Sequence, residues 1–206
     1  MTAPGPIRRR VETGAWIART IATDLRYGAI LSGTARSRGA GAYAVANTPY
    51  SALPHIFAGR IRREDVLVDV GCGKGRVINW WLSRGLRNRI VGIEIDPGVA
   101  SATRRRLRSF PNVTILNGDA ATAVPDDATL LYLYNPFDRA TTERFKANLA
   151  QRFAGDVTML YWNPHWVEVF EDDPRWAVQV MELPRVSDPR IAGAHRRYAA
   201  IMLQPE

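Results

Sequence analysis

Between residues 66 and 162, short apolar runs alternate with stretches of helical length. The runs are 66–70 (VLVDV), 90–95 (IVGIEI), 113–116, 130–134 (LLYLY) and 157–162 (VTMLYW), with helices expected from near Lys74, Pro97, Ala120 and Arg139. Strands apolar along their whole length are buried on both faces, as in a parallel sheet covered by helices on either side. The rhythm then breaks. Segments 176–183 and 197–203 read as two strands joined by a loop containing Pro and Gly, most simply an antiparallel pair. The expectation is a mixed α/β sheet of five parallel strands with a terminal antiparallel hairpin.

Residues 1–63 read differently, as helices and loops. Trp16, Ile17, Ile21 and Leu25 recur at helical spacing, and Gly28 and Gly33 help to end that pattern. Residues 32–41, rich in Gly, Ser, Ala and Arg, read as a connection, after which Ser51 opens a short helical segment carrying Leu53, Ile56 and Phe57. No internal repeat is visible. The division expected is an N-terminal helical segment, 1–63, and a principal domain, 64–206, forming one compact unit.

Composition narrows the class. The 206 residues suit one domain, and no run approaches the ~18 apolar residues of a membrane span. The single cysteine, Cys72, excludes an internal disulfide, and no secretory signal is visible, so a cytoplasmic protein is expected. The net charge of +8 is frontal: +6 over residues 1–65, +3 over 66–128 and −1 over 129–206. Such a surface can steer acidic partners, although Arg104, Arg105, Arg106 and Arg108 read most simply as a solvated helix face.

The chemistry begins at Asp69-Val-Gly-Cys-Gly-Lys-Gly-Arg76. A strand delivers Gly71, Gly73 and Gly75 to the start of a helix, where free N–H groups face a ligand. A phosphate-gripping loop would need Gly, four residues and Gly-Lys-Ser/Thr, and a dinucleotide fingerprint would need Gly or Ala where Arg76 stands. Asp69 would repel a pyrophosphate and suits a cationic ligand. Glu94 ends the next strand, where a carboxylate can accept from ribose hydroxyls. Asp96 reads as a helix N-cap ahead of Pro97. Asp119 follows the third strand, either accepting from an adenine amino group or capping a helix. Three carboxylates thus follow successive strands at the edge where parallel sheets bind ligands.

On these residues the chain resembles the class I S-adenosylmethionine-dependent methyltransferases over about residues 64–206, and its first motif is a close match. The resemblance implies a Rossmann-like three-layer sandwich around a mixed seven-stranded sheet, with S-adenosylmethionine at its carboxyl edge. It places Asp69, Gly71, Cys72, Gly73 and Gly75 near the methionine part, Glu94 with Ile95 at the ribose, and Asp119 with Ala120 at the adenine. The leader Asp24-Leu-Arg-Tyr-Gly28, with Thr48-Pro49-Tyr50, resembles that of a group of small bacterial members of unassigned substrate, and makes Tyr27 and Tyr50 lid candidates.

The fourth strand ends in Tyr134-Asn135-Pro136-Phe137, similar to the Asn/Asp-Pro-Pro-aromatic motif of enzymes that methylate planar nitrogens, with one proline missing. The resemblance implies that Asn135 accepts from the target N–H, that Phe137 stacks on the substrate and that Asn135, Pro136 and Phe137 form the catalytic set, with Asn135 also touching the cofactor. Held in line, nitrogen, methyl and sulfur need little further catalysis. Asn163-Pro164 ends the fifth strand similarly; Asn163 and Tyr161 could shape the acceptor pocket or simply turn the chain. His165 reads as a surface or capping residue, or else as a base for an oxygen acceptor. His55, His165 and His195 form no ligand pair, so no metal is expected.

The function expected is methyl transfer from S-adenosylmethionine to a nucleophile, a nitrogen of a protein or small molecule ahead of nucleic acid, since no separate recognition domain is visible. A non-enzymatic nucleoside-binding protein that kept the fold is the alternative.

Overall fold

The computed structural model describes residues 6–31, 47–184, 188, 191 and 196–205. The connection expected over 32–41, and His195, lie outside them. A long first helix, α1 (Pro6–Arg26), and a short one, α2 (Leu53–Ile56), precede the sheet. Then come β1 (Leu67–Val70), α3 (Arg76–Ser83), β2 (Ile90–Glu94), α4 (Pro97–Leu107), β3 (Val113–Asn117) and α5 (Ala120–Ala123). They are followed by β4 (Leu130–Tyr134), α6 (Arg139–Arg152), β5 (Thr158–Trp162), α7 (Glu168–Glu171), β6 (Trp176–Glu182) and β7 (Arg197–Leu203). Among the described residues no helix is long and apolar enough to cross a membrane.

The seven strands form one sheet in the order β3-β2-β1-β4-β5-β7-β6. β1 to β5 run parallel, β7 pairs antiparallel with β5, and β6 closes the edge antiparallel to β7. The order reverses between β1 and β4, so β1 lies at the switch point where such sheets open a crevice.

Alternation along the strands divides the core in two. Val68, Val70, Ile93, Leu131, Leu133 and Met159 face α5, α6 and α7, with Phe145, Leu149 and Phe170 packed on them. Leu67, Ile90, Ile115, Tyr132 and Leu160 face the opposite layer, where Leu53, Ile56, Ile78 and Trp81 fill the space. Gly92 lies on this second face, and a Cβ there would stand 2.8 Å from atoms of Cys72, Ile78 and Ile115. The side chain is absent because two layers meet there. The α2 residues belong to the same cluster, so 47–63 shares its core with the sheet rather than lying apart from it.

The N-terminal segment is held by polar contacts as well. Asp24 is buried, and its carboxylate accepts from Arg76 (2.9 Å), from the Leu31 N–H (3.0 Å) and from the Tyr50 hydroxyl (2.7 Å). The Arg76 guanidinium also lies 5.4 Å from the centre of the Tyr50 ring. Arg106 donates to the Tyr27 carbonyl, Asn79 Oδ1 and the Lys74 carbonyl. Part of the supposed solvated face of α4 is therefore a rivet, and Arg104 donates inward too, to the Ile115 carbonyl. Thr48 shares a 2.8 Å hydrogen bond with the hydroxyl of Tyr132 on β4. The leader motif thus has a structural account: Asp24, Thr48 and Tyr50 each bolt it to the sheet or to α3.

Breaking a buried ion pair by removing one partner leaves the other charge stranded. Asp24→Ala is expected to lower unfolding free energy by about 3–5 kcal/mol, while Asp24→Leu combined with Arg76→Met recovers much of the loss. Urea denaturation of the three chains measures both; equal stability of Asp24→Ala and the unaltered chain would refute the account.

Candidate active site

β1 ends at Val70, and the chain turns at once through Gly71, whose φ of +73° few side chains would tolerate. A Cβ there would also stand 3.0 Å from Pro136 Cβ, so the loop after β1 is pressed against the loop after β4. Beyond Gly71 the backbone is pinned to its neighbours. The Cys72 N–H donates to the Ile93 carbonyl (2.8 Å), and the Gly73 N–H to Glu94 Oε2 (2.9 Å). The Gly73 carbonyl accepts from Thr103 Oγ1 (2.9 Å). Gly75 then caps α3.

Glu94 does more than end β2. Its other oxygen accepts from the Asp96 N–H at 2.9 Å, so one carboxylate fastens both the glycine loop and the entry to α4. It is 3% exposed, and burial raises its pKa against the pull of those N–H donors. An ionised carboxylate offers about four lone-pair sites, which leaves capacity beyond these two bonds.

Asp69 sits in the middle of β1 on the same face of the sheet. It is buried, its Oδ2 accepts no hydrogen bond, and its pKa is pushed from 3.8 up to about 8, first by burial and then by the charge on Glu94. Unpaired buried carboxylates are costly, which singles this one out. Cys72, also buried, has its thiol pushed up by the same causes and remains protonated.

Asp119 fulfils its capping role, Oδ1 accepting from the Ala121 N–H at 2.9 Å and Oδ2 lying 3.5 Å from Arg144. Ala120 is buried behind it, and Ile95, partly buried, accepts from Asn117 through its carbonyl. Asp96 caps α4 as expected, accepting from Gly98 and Val99.

At the end of β4, Asn135 is 9% exposed, with Nδ2 placed 2.8 Å from His165 Nδ1 and Oδ1 accepting from Tyr161. Phe137 departs from expectation. It is 7% exposed and its ring lies 5.3 Å from that of Phe145 on α6, so it fills the core and offers no face to a substrate. Alternation explains this: the chain turns at Asn135-Pro136 and brings Phe137 under the sheet. Tyr27, packed on Phe110, and Tyr50, bonded to Asp24, also face inward. His165 was undervalued by sequence, since its link to Asn135 joins residues 30 positions apart. Among the described residues no group of three or more His, Cys, Asp or Glu gathers as a metal site.

The comparisons meet this geometry. Residues 67–154 match the family profile of a methyltransferase domain. An RNA methyltransferase from Salinibacter ruber, solved with S-adenosyl-L-homocysteine, is 22% identical and superposes with a TM-score of 0.54 over 78% of this chain and 95% of that one. An rRNA methylase from Streptococcus thermophilus is 12% identical, with a TM-score of 0.52 over 79% of this chain and 99% of its own. A variant of MtNAS in complex with S-adenosylmethionine is 13% identical, with a TM-score of 0.54 over 96% of this chain and 78% of that one. No curated protein sequence matches significantly. The chain has the fold of class I methyltransferases, and its central part matches the profile of a methyltransferase domain.

The Asp69 environment predicts a stability effect. Its pKa is higher in the folded chain than in the unfolded one, so the folded state holds a proton that the unfolded state has lost, and stability falls as pH rises from about 4 to about 8. Asp69→Asn does not titrate. Across that window it should gain on the unaltered chain by up to about 1.4 kcal/mol per pH unit, read by denaturation at successive pH values; parallel curves would contradict the assigned environment.

Proposed function

We propose that this chain transfers the methyl group of S-adenosylmethionine to a nitrogen of a protein or a small molecule. The observation that carries the reading is the sealed, unpaired Asp69 oxygen beside a glycine loop in left-handed conformation. A pyrophosphate offers nothing to draw the proton from Asp69, whereas a cation favours the ionised form and relieves the cost of the buried carboxylate. The residues present therefore fit a cationic nucleoside. Asp69, Gly71, Cys72, Gly73 and Gly75 would hold its amino-acid end, Glu94 and Ile95 its ribose, and Asp119 and Ala120 its base. When bound, the cofactor supplies a methyl carbon on positively charged sulfur, open to in-line displacement.

The chain's own part is alignment. Asn135, pinned on one side by Tyr161 and on the other by His165, would accept the acceptor's N–H on its remaining carbonyl lone pair. The nitrogen lone pair is thereby directed without a strong base. Pro136, against Gly71, sets the spacing between the two halves of the site. Phe137 supports that turn from beneath.

The preference over nucleic acid rests on how the nearby arginines are used. Arg76 is committed to Asp24, Arg106 to Tyr27 and Asn79, Arg104 to Ile115 and Arg144 to Asp119. Arg76, Arg104 and Arg106 are thereby turned inward and withdrawn from any phosphate backbone.

Incubation of the chain with tritiated-methyl S-adenosylmethionine and fractionated cell lysate tests the reading. Label in protein or small molecules supports it, label in RNA replaces the acceptor, and no label returns the chain to a nucleoside-binding role. In calorimetry, Asp69→Ala and Glu94→Ala should each weaken cofactor binding at least about tenfold, the loss of one charged contact. Cofactor affinity should rise as pH approaches 8, because cation binding draws the proton from Asp69. Asp69→Asn should abolish that share of proton release, seen by comparing buffers of different ionisation enthalpy.

A further inference from the structure

β4 and β5 end alike. Asn135 and Asn163 have φ of 43° and 49°, and each stands directly before a proline. The left-handed region is rarely entered by residues other than glycine, and such strain concentrates at functional positions. The two side chains meet on one imidazole. Asn135 Nδ2 lies 2.8 Å from His165 Nδ1, Asn163 Nδ2 lies 3.1 Å from His165 Nε2, and the Tyr161 hydroxyl donates to Asn135 Oδ1 at 3.0 Å. Asn135, Tyr161 and Asn163 are buried, while His165 is open to solvent.

A neutral imidazole has one accepting nitrogen, so the two carboxamides cannot both donate to it. The Tyr161 hydroxyl donates to Asn135 Oδ1, which keeps the Asn135 NH2 on His165 Nδ1. That nitrogen then accepts, Nε2 carries the hydrogen, and the Asn163 amide turns over to offer its oxygen in place of Nδ2. We infer that His165, with Tyr161 and Asn163, positions the Asn135 carboxamide so that its oxygen, and not its NH2, is presented to the N–H of the methyl acceptor. Turned the other way, the amide would set donor against donor. The inference rests on methyl transfer to nitrogen; His165 acts through Asn135 and is a positioning residue.

Two measurements on the full chain test it. Nitrogen-15 NMR of the ligand-free protein should find His165 with its hydrogen on Nε2; hydrogen on Nδ1 would require Asn135 to be turned over and would overturn the inference. The second uses tritiated-methyl S-adenosylmethionine with the lysate fraction that the unaltered chain labels. His165→Ala should slow transfer by about tenfold or more, as expected for a misaligned contact, with cofactor affinity by calorimetry unchanged. In an Asn135→Asp background both ends of the side chain are oxygens and orientation no longer matters, so adding His165→Ala should change the rate by less than about twofold. Tyr161→Phe, which removes only a hydroxyl, should act like His165→Ala in both backgrounds. Equal losses in the two backgrounds, or a parallel loss of cofactor affinity, would show a merely structural histidine. If the unaltered chain labels nothing, the methyl-transfer reading falls and the role of His165 with it, while the tautomer still reports on the clamp.

Discussion

The carboxylate of Glu94 is where the architecture of the site converges. It accepts from the Gly73 N–H on one side and the Asp96 N–H on the other, so the turn after β1 and the turn after β2 share one anchor. Backbone donors in a buried crevice need partners, and one ionised group meets two such needs at once. The arrangement also fixes how near Glu94 stands to Asp69, and the repulsion between the two acids helps to keep the Asp69 proton in place. Without this bond the glycine loop would have to find other acceptors, and the crevice at the switch point would lose its shape.

Around that anchor the N-terminal segment is part of the site's foundation. Asp24 and Arg76 form an ion pair sealed from water, directly after the last glycine of the loop. Such a pair adds little net stability over an apolar substitute, but it is demanding about geometry, since each charge needs the other in place. Tyr50, Thr48 and Arg106 extend the same logic to α3, β4 and α4. The leader and the glycine loop are thus fitted to each other through charge as well as through the apolar packing of Leu53, Ile56 and Phe57.

Much of this was legible beforehand. The apolar runs located all seven strands within a residue or so. β1, β2, β4 and β5 are buried on both faces and leave an uninterrupted signal, while the half-exposed edge strands β3 and β6 are marked by their β-branched and aromatic residues. Asp69 within β1, Glu94 at the end of β2 and Asp119 just beyond β3 stood out because neighbouring parallel strands carry their carboxyl ends to one edge of the sheet. What escaped was whatever depends on contacts distant in sequence. Nothing local announces that Arg106 turns inward to Tyr27, that Phe137 packs on Phe145, or that Asn135 and Asn163 share His165. Gly92 was similarly silent: its missing side chain answers to Cys72, Ile78 and Ile115, which only the folded chain brings near.

The contact between Gly71 and Pro136 carries a consequence of its own. The proline ring stands against the volume that any side chain at Gly71 would need, so the loops that leave β1 and β4 are in mutual contact. A larger residue at position 71 would have to push the β4 loop aside, and with it Asn135, so the two turns are constrained to change together.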